Sequence, residues 1–181
     1  MKMENEISLY EELSAGLQQA IDSIRDENAK QEQKTVIELG RPDCGWSSLH
    51  LKDKNGNEFC GHLSYIDNVP EMLLHTFELF LENRWQIAVS FDEEGTEWTL
   101  IIDEYLIKIL CERDTVSTHV LFISARELIA KILEDINRDI DAWSEWDAYG
   151  DTAEEYKQEA QENKATLLSM LESVKQKLQS L

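Results

Sequence analysis

The chain has 181 residues, 42% of them hydrophobic, and carries 37 Asp and Glu against 17 Lys and Arg, a formal charge of −20. Such a charge repels DNA, RNA and anionic membrane surfaces and favours encounter with basic proteins. The length suits one domain with a real core, and no stretch nears the roughly 18 apolar residues of a membrane span, so a single cytoplasmic domain over residues 1–181 is expected.

The first element is a helix over about Leu9–Ala29. Ser8 and Glu11 form a capping-box pair, and Leu13, Leu17, Ile21 and Ile24 follow at helical spacing. A polar linker to Lys34 closes this segment, 1–34. Residues 35–123 read as a sheet interrupted by one helix. Thr35–Leu39 is β-like and stops at Gly40-Arg41-Pro42. Trp46–Lys52 and Glu58–Tyr65 are joined through Asp53-Lys54-Asn55-Gly56-Asn57, where Asn-Gly suits a tight hairpin turn. A turn centred on that pair sets Leu49 and Leu51 opposite Cys60 and His62.

Asp67-Asn68-Val69-Pro70 opens a helix with a polar cap and Pro in the first turn. Its apolar face holds Leu73, Leu74, Phe77, Phe80 and Leu81. Trp85, Ile87, Val89 and Phe91 then alternate as a half-buried strand, and Asp92-Glu93-Glu94-Gly95 turns the chain. Trp98–Ile102, Tyr105–Cys111 and Val120–Ile123 continue as strands. Residues 124–181 read as a hairpin of two long helices, each opened by a capping box, Ser124 with Glu127 and Thr152 with Glu155. Strands gathered by hairpins predict an α+β fold: a mostly antiparallel sheet of about six strands, an N-terminal helix, a central helix and two long C-terminal helices.

Local chemistry is sparse. Three cysteines without clustered spacing suit reduced thiols. The four histidines are scattered, so no metal is expected. Neither Gly-rich phosphate motif nor a nucleophile elbow occurs, and no cofactor or catalytic residue is expected. An enzyme with a nonlocal site remains as an alternative, centred on Cys60, His62 and Asp67.

Charge layout says more. Residues 91–104 hold six acids and no Lys or Arg, and residues 134–162 hold eleven acids against Arg138 and Lys157, so 43 residues carry −15 of the −20. Aromatic residues lie among them. Anchors beside carboxylates are the composition of a surface for a basic protein. The expected partner-binding residues are Asp92, Glu93, Glu94 and Glu97, which steer, with Trp143, Trp146 and Tyr149 as anchors and Glu154 and Glu155 beside them. A homodimer through Leu167, Leu171, Val174 and Leu178 of the last helix is the alternative use of the C-terminal region.

The segment Tyr10-Glu11-Glu12-Leu13, Gly16-Leu17, Ala20-Ile21 and on to Thr35-Val36 resembles the leader before the helix-turn-helix of some bacterial antitoxins, although no helix-turn-helix follows. The Phe91-Asp92-Glu93-Glu94-Gly95 turn in a small acidic α+β chain looks like bacterial immunity proteins and phage inhibitors of defence nucleases. These resemblances imply a non-catalytic, immunity-type inhibitor of a basic toxin or nuclease, with a phage anti-CRISPR acting as a nucleic-acid mimic as the alternative.

Overall fold

The computed structural model describes residues 34–112 and 115–180, all within the compact unit Lys34–Leu181. The expected N-terminal helix lies outside the described residues. The remainder is α+β and antiparallel, but its seven strands form two sheets rather than one. Strands β1 (Val36–Leu39), β2 (Trp46–Lys52) and β3 (Glu58–Ser64) make a three-stranded sheet in that order. Helix α1 (Val69–Asn83) leads to a four-stranded meander, β4 (Ile87–Asp92), β5 (Glu97–Ile102), β6 (Ile107–Glu112) and β7 (Val116–Leu121).

The β2–β3 register differs from the tight-turn expectation by one residue. Leu49 faces Gly61 and Leu51 faces Phe59, while His50 faces Cys60 and Ser48 faces His62. Residues opposite one another in an antiparallel pair share a face, so a one-residue slip would have sent the leucines to water. The loop avoids this by taking an extra residue: the Gly56 N–H donates to Asp53 O and Gly56 adopts φ +85°. That is a turn followed by a left-handed residue, in place of two left-handed central residues.

Asp53 organises this corner. Its carboxylate is fully buried and accepts hydrogen bonds from the N–H groups of Asn55, Asn57 and Phe122 and from the Asn57 side chain, at 2.8–3.0 Å. Burial pushes its pKa up, but the Phe122, Asn57 and Asn55 donors outweigh burial and hold it below the ordinary value. The turn of one sheet is thereby tied to the end of β7 in the other.

The C-terminal region has three helices instead of two: α2 (Ala125–Arg138), α3 (Ile140–Glu145) and α4 (Ala153–Gln179). The periodic run expected to continue past Ile136 breaks at Asp139, whose carboxylate takes the Nε and Nη2 donors of Arg138. Both capping boxes, Ser124 with Glu127 and Thr152 with Glu155, form as their spacing predicts. Asn68, expected to cap α1, makes no side-chain cap bond and donates instead to Asp147.

One core unites the sheets and helices, with Phe77, Trp98, Leu128, Ile132 and Trp143 among its buried members. Leu167, Leu171 and Val174 of α4 are also buried there, so the face expected to dimerise is taken up within the protomer. Trp85, read as a strand residue facing the core, precedes β4 and is 77% exposed. Arg84 before it takes a left-handed conformation that ends α1 and redirects the chain. Asp135, on α2, is buried and accepts from the Leu39 N–H, Lys131 and Arg138, fastening α2 to the edge of β1. No helix among the described residues is long and apolar enough to cross a membrane.

Candidate protein-interaction surface

The β4–β5 hairpin sets the site. Its tip, Glu93–Thr96, is closed by the Glu93 N–H donating to Thr96 O, with Glu94 and Gly95 at positive φ. Asp92 Oδ1 accepts from the Glu94 N–H at 2.7 Å, the local bond that makes Asp a turn residue. Antiparallel register then places Asp92 opposite Glu97, and Glu97 opposite Glu112. All three side chains are exposed on the same face of the sheet. Like charges set directly across strands destabilise a sheet by roughly 0.2–1 kcal/mol per pair.

A fourth acid approaches from the β3–α1 connection. Asp67 Oδ2 accepts from the Asp92 N–H at 2.7 Å. Burial first, and then the charges of Asp92 and Glu97, raise the Asp67 pKa in spite of that hydrogen bond. The sign of the consequence is fixed. The folded state holds a proton on Asp67 at pH values where the unfolded chain has lost it, so stability falls as pH rises from the ordinary Asp range through the raised folded value. Asp67→Asn, which keeps an acceptor for the Asp92 N–H, is expected to raise the thermal midpoint at pH 7. At pH 3, where the wild-type carboxyl is itself protonated, the gain should vanish; an equal gain at both pH values would refute the charge argument.

Exposed aromatic groups flank the acids. Tyr65 and Ile66 follow β3 and are 47% and 56% exposed, and Tyr149 is 61% exposed. The Tyr65 N–H donates to Gly45 O, and its ring lies so close to Gly45 that a Cβ there would sit 3.1 Å from Cδ1. The Tyr149 hydroxyl reaches Tyr65 O at 3.5 Å. Partial burial and then the Asp147 carboxylate hold that hydroxyl above its ordinary pKa, which keeps it a donor. Asn68 donates to Asp147 and Trp146 Nε1 donates to Asp67 O, so the chain after α3 is stitched to the connection that carries Asp67.

The sequence-predicted residues divide accordingly. Asp92, Glu94 and Glu97 are exposed at the hairpin, Glu94 accepting from the Ser64 hydroxyl. Glu93 is turned inward instead, its side chain only 9% exposed and bonded to the His62 N–H, His62 Nδ1 and Thr96, so it fastens the tip to β3. Trp143 and Trp146, expected as anchors, are 1% and 8% exposed and pack 5.3 Å apart in the core. Their amphipathic setting failed as a guide because the break at Asp139 turns α3 inward. Trp143 Nε1 has no hydrogen-bond partner among the described residues. Glu155 is engaged in the α4 capping box, and Glu154 lies exposed beside it in the first turn.

Glu112, Tyr65 and Ile66 were missed, and Asp67 was read functionally only as part of a nonlocal catalytic site. Glu112 was accessible in principle, since counting the β5–β6 register across residues 103–106 sets it opposite Glu97. Cys60 and His62 share the outer face of β3, but His62 is bonded to Glu93 while Asp67 bonds to Asp92, and no hydrogen bond joins the three as a catalytic set. A groove of about 620 Å³ lies elsewhere, between β1 and α2. Among the described residues no three His, Cys, Asp or Glu side chains are grouped to hold a metal.

Comparison with protein-family models, curated proteins and solved structures finds no match to this chain.

Proposed function

We propose that the protein is a non-catalytic, immunity-type inhibitor that binds a basic protein, a toxin or nuclease, through the acidic end of its four-stranded sheet. The observation that carries this reading is the row Asp92, Glu97 and Glu112, three exposed carboxylates directly opposite one another with Asp67 beside the first two. The free protein bears their mutual repulsion, and a cationic surface would relieve it. Tyr65, Ile66 and Tyr149 supply apolar contact area next to the charges. Asp92, Glu97 and Glu112 steer and pair, whereas Glu93 keeps the hairpin in place.

The triple variant Asp92→Asn, Glu97→Gln, Glu112→Gln is expected to be at least as stable as wild type and to lose capture of the partner. Pull-down from source-cell lysate at low and high ionic strength, with mass spectrometry, checks both halves. Exposed charges are screened over about 8–10 Å at physiological salt, so a basic protein held by wild type at low salt should be released at high salt. Capture of that protein unchanged by the triple variant would sink the reading. A line of carboxylates one strand spacing apart, about 5 Å, also favours the anti-CRISPR type of reading, in which the row stands in for nucleic acid. Competition between this protein and DNA or guide RNA for the captured nuclease separates mimicry from blockade of an active site.

A further inference from the structure

Strand β7 ends the four-stranded sheet and, among the described residues, pairs only with β6. Each of the other three sheet edges has a backbone group taken by a side chain. At β1 the Leu39 N–H goes to Asp135; at β3 the N–H and C=O of His62 go to Glu93 and Trp98; at β4 the Asp92 N–H goes to Asp67. Along β7, among the described residues, neither a side chain nor another segment takes an outward backbone group until Phe122, just past its end, donates to Asp53. Soluble proteins usually blunt such an edge with charge, Pro or a bulge. Here residues 115–124 contain no charged residue, no Pro and no Gly, in a chain that is 30% charged.

We infer that β7 pairs with β7 of a second copy, antiparallel about a two-fold axis at Thr118, joining two sheets into one of eight strands. The sequence of the edge is self-complementary in that register. Opposite residues must share a face, which requires even residues to meet even ones. Centring on Thr118 sets Val116 against Val120 of the second copy and Thr118 against itself on the outer face, and Ser117 against His119 on the inner face. β-branched pairs and Thr–Thr pairs are favourable cross-strand neighbours. Val116 is 70% exposed and Val120 39% exposed in the single chain, so both have apolar surface to bury.

The self-complementary register selects the second copy as occupant, and charge does not oppose it at this edge. Two chains of −20 repel wherever their acids approach, and this uncharged edge is where they need not. Strand spacings put the nearest described acids of the sheet strands, Glu112 and its copy, on the order of 20 Å apart, beyond the screening length of about 8–10 Å. An isologous contact also closes after two copies, with both β7 edges used up. The inference is independent of the acidic surface, whose carboxylates take no part in it.

Sedimentation velocity of the full chain at rising concentration is expected to show a dimer. Thr118→Lys, which sets two ammonium groups face to face, should weaken association about fivefold or more without lowering the thermal midpoint of the monomer. With Cys44, Cys60 and Cys111, which lies opposite Ser117, changed to Ser, Thr118→Cys should form an interchain disulfide on mild oxidation, because directly opposite Cα atoms lie about 4.5–5.5 Å apart. Ser117→Cys, which faces His119, should not. A chain that stays monomeric throughout, including one that adds only a foreign strand to β7, overturns the inference, as does crosslinking at 117 in place of 118.

Discussion

Asp53→Ala is expected to lower the unfolding free energy by about 3–5 kcal/mol, the scale of leaving several buried donors unpaired. The carboxylate accepts from three backbone N–H groups and one side-chain amide. Alanine leaves those donors facing an apolar corner, and each orphaned group costs about 1–3 kcal/mol unless water enters. The damage should reach both sheets, since the Phe122 N–H belongs to the end of β7 and the Asn55 and Asn57 donors to the β2–β3 loop. Asp53→Asn is expected to be intermediate, because its amide nitrogen presents a donor to a donor. Denaturant unfolding across pH gives the second check. The folded pKa of Asp53 lies below the ordinary Asp value of about 3.9, so its contribution is fully present above that value and disappears as pH falls through the folded one. The gap between wild type and Asp53→Ala should therefore narrow at strongly acidic pH; a gap independent of pH would mean that the charge is not the source.

Gly61→Ala is expected to cost about 3 kcal/mol, the upper end for overpacking a core. A Cβ at this position would lie 2.6 Å from Phe59 Cζ and 2.7 Å from Trp98 Cε2. Neither ring has room to yield. Trp98 packs 5.1 Å from Phe59 and 4.7 Å from Phe91, and its Nε1 donates to the His62 carbonyl. The glycine thus lets the three-stranded sheet come down on the indole of the four-stranded one. Thermal unfolding measures the loss, and the double variant Gly61→Ala, Phe59→Leu, which removes one of the two colliding rings, should regain part of it. A midpoint unchanged by Gly61→Ala alone would show that the two sheets do not approach this closely.

Several features were legible because they are local. The capping boxes at Ser124 and Thr152 need only a hydroxyl and a carboxylate three residues apart, and the Asp92–Gly95 turn needs only an Asp followed by residues able to take positive φ. Strand identity in β3 and β4 followed from alternation of the kind seen at Ile87, Val89 and Phe91. The acidic hairpin was likewise visible as a run of charge. Its strength as a surface was not, since Glu112 joins the row only through pairing of β5 with β6, and Asp67 only through the hydrogen bond to Asp92.

Most elements between β1 and α4, their antiparallel character and the excess of negative charge follow from the sequence alone. Short-range propensity and period decide those. Long-range packing settles the rest: that the strands divide into two sheets, that Trp143 and Trp146 point inward once Asp139 ends α2, that Glu93 is a tie and Asp53 a hub, and that among the described residues no side chain takes an outward backbone group within β7. Each of these depends on which distant group supplies a hydrogen-bond partner or fills a neighbouring space, and a buried polar group or a close-packed ring is settled by those partners and not by its neighbours in the chain.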